Sequence, residues 1–258
     1  MIIRKSPREI ENIAAAGALV GETIAHVGGL IAPRVTTAEL DAAADVFIRE
    51  HGGLPTSEGY KGYPKAICLS PNDVVVHGIP GAYEIAEGDL ITVDVGVTLN
   101  GYIADSAYTF GVGDIEPEAQ HLLDTAQDAL AAGIAEALVG NRVGDISHAV
   151  QTVVEDAGLA VVRSLVGHGV GRHYHEDPHI PNFGAPGRGP RLSEGMTIAI
   201  EPMITAGRAE VTVGDDGWTI TTTDGSLSAH FEHTVAITLA GPRILTPRVG
   251  LAASHHLR

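Results

Sequence analysis

Apolar and small residues recur at helical spacing over the first fifty positions of the chain. The first run comprises Ile10, Ile13, Ala14, Gly17, Val20, Ile24 and Val27, and the second comprises Leu40, Ala43, Ala44, Phe47 and Ile48. A Ser/Thr-x-x-Glu capping box precedes each run, from Ser6 to Glu9 and from Thr36 to Glu39. The pattern predicts two amphipathic helices, the first with Pro7 at its first helical position.

Further along the chain, helical patterns cover residues 117–138 and 145–157, with Gly158 as the expected C-cap. Segments rich in Val, Ile and Thr are predicted strands, namely 90–98, 102–110, 196–204, 209–213, 218–223 and 231–239. The chain therefore has two helices followed by strands, and then the same order again. This order predicts an α/β protein.

Two eight-residue segments of the halves also resemble each other. Residues 87–94 and 194–201 both begin Glu-Gly, carry Ile at the fifth place and end in a carboxylate. An internal duplication would explain this, with pseudo-repeats over 6–110 and 117–239. The alternative is that Glu-Gly is ordinary turn chemistry before a strand. We expect one domain over residues 1–246 with a loop at 183–191, followed by a tail over residues 247–258.

Composition narrows the class of protein. The 258 residues include 44% hydrophobic and 19% charged positions, which is ordinary for a soluble domain, and the net charge of −16 disfavours binding to DNA or anionic membranes. Cys68 is the single cysteine, so an internal disulfide is excluded and a reducing cytoplasm is favoured. Arg4 and Lys5 precede an alanine-rich stretch, but Glu22 and His26 interrupt it, which favours a helix over a signal peptide.

Two aspartates flank a predicted hairpin. Asn100-Gly101 is a type I′ turn signal, and with these two residues as the loop Asp94 faces Ala107 and Asp105 faces Gly96. The aspartates are then diagonal neighbours on one sheet face, roughly 7–8 Å apart at the backbone. Their side chains could converge on two cations about 3.5–4 Å apart. The alternative is a pair of solvated aspartates on an exposed sheet.

Three further candidate ligands are His168, Glu201 and Glu232. His168 lies among glycines that permit close backbone approach, although such a cluster can be a simple turn. Glu201 ends an apolar run and Glu232 lies at the start of another predicted strand, and a lone glutamate at a strand end is usually solvated. Together, four carboxylates and one imidazole form an oxygen-rich set suited to a pair of divalent cations that activate water for hydrolysis.

Motifs along nearly the whole chain, from about residue 7 to residue 239, closely resemble those of the type I methionine aminopeptidases. The motifs are Tyr60-Lys61-Gly62-Tyr63-Pro64-Lys65, Asn72, His77-Gly78-Ile79-Pro80, Asp94, Asp105, Gly167-His168-Gly169-Val170-Gly171, His175-Glu176, Glu201-Pro202 and Glu232-His233-Thr234. The resemblance implies a pita-bread fold, in which two pseudo-symmetric halves with antiparallel sheets and covering helices surround two metal ions.

The same resemblance implies residue roles. Asp94 would chelate one ion, Asp105 and Glu232 would bridge both, and His168 and Glu201 would bind the other. The attacking water would be made acidic by the two cations, and Glu201 would also handle its proton. His175 would steady the developing oxyanion, and His77 would contact the scissile amide or the amino end. The implied methionine pocket comprises Tyr60, Tyr63, Cys68, Tyr174 and Trp218, each of which could instead be a core residue.

The chain departs from the family pattern near that pocket. Ser57 stands where some relatives have a second cysteine, and His173 and Tyr174 stand where a small residue and phenylalanine are common. These departures put the shape of the pocket in doubt and leave the proposed metal ligands untouched.

Other classes of protein fit the sequence less well. A proline-directed peptidase of the same fold usually has an additional N-terminal domain. A type II methionine aminopeptidase has an insertion, and the chain leaves no room for it between His175 and Glu232. Non-catalytic relatives of this fold lose metal ligands. A dinuclear phosphatase or oxidoreductase predicts other ligand contexts. We therefore expect a cytoplasmic monomer that removes the initiator methionine from nascent chains with a small second residue, in brief contact with the ribosome. Mn²⁺, Fe²⁺, Co²⁺ or Zn²⁺ would suit the ligands, and a monovalent cation could lie near Asn72 and Val74.

Overall fold

Residues 1–250 are described by a computed structural model, and part of the predicted tail, residues 251–258, lies outside them. The four helices of this described part lie in two pairs along the chain. They are α1 (Pro7–Gly28), α2 (Thr37–Glu50), α3 (Pro117–Ala135) and α4 (Val143–Asp156). A short 3-10 turn covers Tyr60–Gly62. The predicted order of helix pairs and strands is therefore confirmed, and the strands are shorter and more numerous than the sequence pattern indicates.

The strands of the described part form four antiparallel sheets. The first seven strands are β1 (Leu54–Pro55), β2 (Cys68–Pro71), β3 (Val74–Val76), β4 (Leu90–Leu99), β5 (Tyr102–Gly111), β6 (Ala160–Val161) and β7 (Val166–Gly169). The others are β8 (Glu176–Pro181), β9 (Thr197–Ile200), β10 (Met203–Thr205), β11 (Val211–Val213), β12 (Ile220–Thr222), β13 (Ser228–His230), β14 (His233–Thr238) and β15 (Gly241–Ile244).

Both predicted capping boxes are present. The side chain of Ser6 accepts from the backbone N–H of Glu9 while the Glu9 carboxylate accepts from the N–H of Ser6, and Thr36 and Glu39 form the same pair. The third helix ends three residues earlier than predicted, and the fourth begins at Val143 instead of residue 145. Gly158 follows the last helix with a positive φ of 77°, the conformation that ends helices at glycine.

The longest hairpin joins β4 and β5. Asn100 and Gly101 both have positive φ, 52° and 75°, as a type I′ turn requires. The turn sets a register in which Asp94 faces Ala107 and Gly96 faces Asp105, as the sequence predicts. Strands β1 and β2 pair with β4 on its other edge and complete a four-stranded sheet.

In the second half, a five-stranded sheet has the order β15-β14-β9-β7-β8. The predicted strand 196–204 is interrupted, because Glu201-Pro202 lies between β9 and β10 and proline cannot donate to a ladder. The predicted strand at 231–239 starts only at His233, so Glu232 precedes it. Gly88 and Gly195, which precede β4 and β9, both have a φ of 87°, so the Glu-Gly segments share one turn conformation.

Two apolar cores each lie mainly in one half, and both apolar and polar side chains join the halves. One core packs α1 and α2 against β4, and the other packs α3 and α4 against β9 and β14. Between the halves, the N–H of Asp105 donates to Thr234 Oγ1 over 3.1 Å, and Thr234 Oγ1 donates to the Asp105 carbonyl over 2.9 Å. The N–H of Glu232 donates to the Ala107 carbonyl over 3.0 Å. These bonds hold strand ends from both halves against each other, where the candidate ligands lie.

The first residues of the predicted tail pack against the body of the protein. The guanidinium of Arg248 lies over the ring of Tyr108 at 4.4 Å and over the ring of Phe231 at 5.2 Å. Burial lowers the pKa of Arg248 to about 10. Over residues 1–250, no helix combines the length and apolar character needed to cross a membrane.

Candidate metal centre and substrate cavity

The five predicted ligands come from five separate strands or strand ends and line one cavity. Asp94 and Asp105 lie on β4 and β5, and the type I′ hairpin places them on the same face of the sheet, one register step apart. Asp105 is 4% exposed. Asp94 is half-buried, so the alternative of two solvated aspartates on an exposed sheet does not describe this pair.

His168 lies on β7, and its glycine neighbours make room for the adjacent strands. A Cβ atom on Gly167 would lie 2.4 Å from the Ala199 carbonyl, and one on Gly169 would lie 2.3 Å from the Asp177 carbonyl. The Nδ1 atom of His168 lies 2.9 Å from the Gly169 carbonyl oxygen. Because a carbonyl only accepts, Nδ1 carries the proton, and Nε2 is left with a free lone pair that faces the carboxylates.

The donor atoms lie close together. Nε2 of His168 is 3.5 Å from Oδ2 of Asp105 and 3.5 Å from Oε1 of Glu201. One ligand atom each from Asp105, His168 and Glu232 lie within 4.8 Å of one another. Metal–ligand bonds of about 2.0–2.2 Å allow two donors of one ion to be up to about 4.4 Å apart. The spacing therefore suits shared cations.

The electrostatics of the cavity favour bound cations once the carboxyl groups are ionised. Burial raises the pKa values of Asp94 and Asp105, and repulsion from Asp105 adds to the increase at Asp94. Burial and the neighbouring aspartates raise the pKa values of Glu201 and Glu232 well above their usual range. Two buried and two half-buried carboxylates in one cavity cannot all be ionised at low cost without compensating positive charge.

The imidazole nearest the carboxylates does not supply that charge, and Lys61, the one lysine or arginine among the described residues that line the cavity, lies over the ring of Tyr60 at 5.3 Å. Burial lowers the pKa of His168 to about 4, so its ring is neutral near pH 7. Oε1 of Glu232 is buried and has no hydrogen-bond partner in the described part of the chain. The site is rich in carboxylate oxygen and carries one well-oriented imidazole, so its residues fit divalent cations.

All five residues predicted for the methionine pocket line the same cavity. The rings of Tyr63 and Trp218 meet edge to face with centroids 5.2 Å apart, and Tyr60 meets Tyr174 in the same way at 5.1 Å. Cys68 is 5% exposed, and burial raises the pKa of its thiol, so it presents a neutral sulfur. The cavity thus combines aromatic and sulfur-containing side chains with the carboxylates, and Cys68 lies directly opposite Asp94 on the neighbouring strand.

The two predicted active-site histidines lie at this cavity as well. The His175 ring lies 4.1 Å from the His168 ring and stacks on Tyr60 at 5.3 Å. Partial burial, with His168 beside it, lowers the pKa of His175 to about 3. Burial also lowers the pKa of His77, whose backbone has a positive φ of 58°. Both rings are therefore neutral and can donate one hydrogen bond each.

A buried ion pair supports the loop that carries His175. Lys5 Nζ lies 2.6 Å from Oε2 of Glu176, and both side chains are 4% exposed. The other oxygen of Glu176 accepts from the backbone N–H groups of Arg172 and His173. Sequence reasoning identified Glu176 only as part of a motif, because nothing near it in the chain indicates a partner at position 5.

Two of the three departures from the family pattern lie at the cavity, and the third lies at the protein surface. The hydroxyls of Ser57 and Tyr174 are 3.2 Å apart and both residues line the cavity, whereas His173 is exposed. Tyr174 also contacts the backbone of Gly96, where an added Cβ would lie 2.4 Å from its hydroxyl. Sequence comparison alone does not predict this hydroxyl pair.

The predicted monovalent cation site lies away from the ligands. The backbone carbonyls of Asn72 and Val74 both accept from Ser228 Oγ, at 3.0 and 3.1 Å. Two carbonyls and a hydroxyl thus converge here, and cation binding at this point stays a prediction.

Sequence reasoning missed one further residue at the ligand cluster. His230 lines the cavity, with Nε2 3.9 Å from Oε2 of Glu201 and 4.0 Å from Oε2 of Glu232. One signal was available, because residues two apart in an extended segment point to the same side, and His230 is two residues before Glu232.

Comparison with known proteins agrees with this geometry. The profile of metallopeptidase family M24 matches residues 11–239. A methionine aminopeptidase of Clostridium perfringens is 50% identical over 246 residues, which is 95% of this chain and 99% of the relative. The crystal structure of a methionine aminopeptidase from Rickettsia prowazekii superimposes with a TM-score of 0.94 at 40% identity, covering 96% of this chain and 100% of that one. A prolidase of Pyrococcus horikoshii, 21% identical with a TM-score of 0.78 over 96% of this chain and 64% of its own, shares the fold alone.

Proposed function

Because the chain belongs to metallopeptidase family M24, we propose that it is a methionine aminopeptidase that uses divalent metal to remove N-terminal methionine. The main observation is the cavity itself, which is lined by four buried or half-buried carboxylates, by the free nitrogen of His168 and by aromatic and sulfur-containing side chains. The identity of 50% to a methionine aminopeptidase over almost the whole chain supports the same conclusion. The pita-bread fold predicted from the motifs is that of these relatives.

We further propose a dinuclear centre. Asp94 would hold one ion, Asp105 and Glu232 would lie between the two, and His168 and Glu201 would hold the other. The separation of 3.5 Å between His168 Nε2 and each of its carboxylate neighbours supports this assignment. Bound divalent cations lower the pKa of water and polarise the scissile carbonyl. Mn²⁺, Fe²⁺, Co²⁺ and Zn²⁺ all suit the oxygen-rich ligand set.

The protein groups divide the remaining work. Glu201 takes the proton of the attacking water and passes it to the leaving amine, a role that suits a carboxyl whose pKa burial raises. His175, neutral and beside His168, donates a hydrogen bond to the developing oxyanion. His77 contacts the scissile amide or the amino end. Tyr60, Tyr63, Cys68, Tyr174 and Trp218 bind the methionine side chain.

The natural substrates would be nascent chains and peptides that begin with methionine and have a small second residue. The side chain after the scissile bond must fit beside the ions, where His77 and His175 already occupy the cavity wall. We propose a cytoplasmic monomer in brief contact with the ribosome. A proline-directed peptidase is the second candidate, and the prolidase likeness supports only a common fold for it.

The test is methionine release from Met-Ala-Ser and Met-Lys-Ser by chelator-stripped protein titrated with Mn²⁺ or Co²⁺. We expect restored cleavage of Met-Ala-Ser, with Met-Lys-Ser left intact. Release from both peptides would overturn the small-residue rule. No release from either by folded protein, with cleavage of an Xaa-Pro peptide, would replace the proposed function with that of the second candidate.

A further inference from the structure

His230 is the one ring at the cavity with both nitrogens buried and unpartnered in the described part of the chain. The residue is 2% exposed and ends strand β13. Its backbone is held firmly, because its N–H donates to Thr109 Oγ1 over 3.0 Å and its carbonyl accepts from the same hydroxyl over 2.9 Å. The ring is therefore aimed into the cavity by the fold and is deprived of water there, a combination that calls for a polar partner.

The nearest acceptors are metal-ligand candidates. Nε2 of His230 lies 3.9 Å from Oε2 of Glu201 and 4.0 Å from Oε2 of Glu232. Hydrogen bonds to carboxylates are about 2.9 Å long, so a movement of about 1 Å by either side chain closes one. Glu232 also has an unpartnered oxygen, Oε1. An unsatisfied donor thus stands between two incompletely satisfied acceptors.

Building on the proposed function, we propose that His230 is a positioning residue, which donates its Nε2–H to the metal-ligating carboxylates of Glu201 and Glu232 and orients them toward the cations. Even a neutral imidazole carries one N–H, so this role needs no change of charge. Ligating carboxylates usually accept such hydrogen bonds from a surrounding shell of residues, and loss of the donor weakens the metal. The glutamates have no other side-chain donor at these two oxygens within the described residues.

The structure favours a role for His230 as a hydrogen-bond donor over a role as a further metal ligand. The ligating imidazole of His168 has its second nitrogen fixed by the Gly169 carbonyl at 2.9 Å, as ligating histidines generally do. The second nitrogen of His230, Nδ1, has no such partner in the described chain. His168 also lies closer to its carboxylates, at 3.5 Å. The two rings therefore differ in the hydrogen bond at the second nitrogen, which His168 has and His230 lacks within the described chain.

The first experiment measures metal affinity, using calorimetric titration of chelator-stripped protein with Co²⁺ alone. His230→Leu removes the donor and should weaken cobalt binding by about 10- to 100-fold. His230→Gln keeps an N–H at similar reach and should remain within about 3-fold of the parent, by the same reasoning. The matched control His148→Leu, at an exposed position on α4, should leave the affinity unchanged. Parent-like cobalt binding by folded His230→Leu would overturn the proposal.

A second measurement is proton NMR of the cobalt-loaded parent and of cobalt-loaded His230→Gln. In the cobalt-loaded parent, each ligating imidazole gives a strongly shifted, solvent-exchangeable N–H proton resonance. We expect one such resonance, from His168. A second shifted resonance that disappears in His230→Gln would show that His230 is a ligand and would overturn the donor role. If the parent neither binds cobalt nor releases methionine from Met-Ala-Ser, the proposed function itself fails. If the parent binds cobalt and releases methionine, and His230→Leu binds cobalt with the affinity of the parent, only the proposed role of His230 is overturned.

Discussion

Nε2 of His168 lies 3.5 Å from Oδ2 of Asp105, although the two residues belong to different halves of the chain and to different sheets. The contact depends on the hydrogen bonds that tie β5 to the start of β14, including the pair between Asp105 and Thr234. The halves thus meet along the line where the ligands of both converge. Because each half supplies residues to the proposed metal site, neither half contains the whole of it.

Removing a shared ligand should abolish turnover. Asp105→Asn or Glu232→Gln deprives both proposed ions of a charged ligand, so we expect cobalt affinity and methionine release to fall by more than about 100-fold. Calorimetric titration and a peptide assay measure the two effects. Asp128→Asn, an exposed position on α3, is the control and should behave like the parent. Substantial activity of Asp105→Asn in metal-replete buffer would contradict the bridging assignment.

The aromatic wall should act on substrate binding. Trp218→Ala removes the edge-to-face partner of Tyr63 and a side of the cavity, and we expect kcat/KM for Met-Ala-Ser to fall about 10- to 100-fold, mainly through KM. Trp218→Phe keeps an aromatic surface and should lose less than about 5-fold by the same reckoning. An unchanged KM in Trp218→Ala would remove Trp218 from the methionine pocket.

Metal should stabilise the protein more as the pH rises. Folding raises the pKa values of Asp94, Asp105, Glu201 and Glu232. A carboxyl group of this kind contributes stability below its unfolded pKa of about 4, and the contribution is lost as the pH rises through the folded pKa. The metal-free protein therefore carries a growing electrostatic penalty in this window, and cations relieve it by replacing protons.

Thermal unfolding with chelator and with Mn²⁺, at several values between about pH 5 and pH 8, measures this effect. We expect the increase in Tm on adding metal to be larger at the upper end of the range. His168 stays neutral throughout, because burial lowers its pKa to about 4. In Asp105→Asn the pH dependence should be weaker. An increase in Tm that is the same at every pH would refute the electrostatic account.

The glycines beside His168 should tolerate no side chain. Gly169→Ala would place a Cβ atom 2.3 Å from the Asp177 carbonyl oxygen, a backbone atom that cannot move without displacing β8. We expect the free energy of unfolding to fall by about 1–3 kcal/mol, as for other overpacked sites, and cobalt affinity to fall with it.

Gly81→Ala is the matched control for that variant. Its added Cβ has no neighbour closer than 3.8 Å, and the change in stability should stay within about 0.5 kcal/mol. Chemical denaturation of both variants gives the comparison. Equal stabilities would mean that β7 and β8 adjust to the added methyl group.

Local sequence patterns predicted the helices, the longest hairpin and part of the candidate site. The capping boxes at Ser6 and Thr36 mark helix starts because both partners of each box are three residues apart in the chain. The turn at Asn100-Gly101 determined the strand register, and hence the placement of Asp94 against Asp105, because a two-residue loop leaves one pairing. The resemblance of motifs added His168, Glu201 and Glu232, which no local pattern joins.

Other features depend on contacts between distant parts of the chain. The short strands β1, β2, β3, β6, β7, β8, β13 and β15 escaped prediction, since two to six residues carry too little periodicity. The ion pair of Lys5 with Glu176 and the approach of His230 to Glu201 likewise have no local signal.

The sequence by itself therefore determined the helix starts, the β4–β5 register and, through its motifs, the proposed ligand set, because each of these is encoded by residues near one another or by a recognisable order. Only the tertiary structure decided which side chains are stripped of water and how far apart they lie. Burial is a property of the packed halves, and it is burial that raises the pKa values of the carboxylates and leaves the His230 ring without a partner.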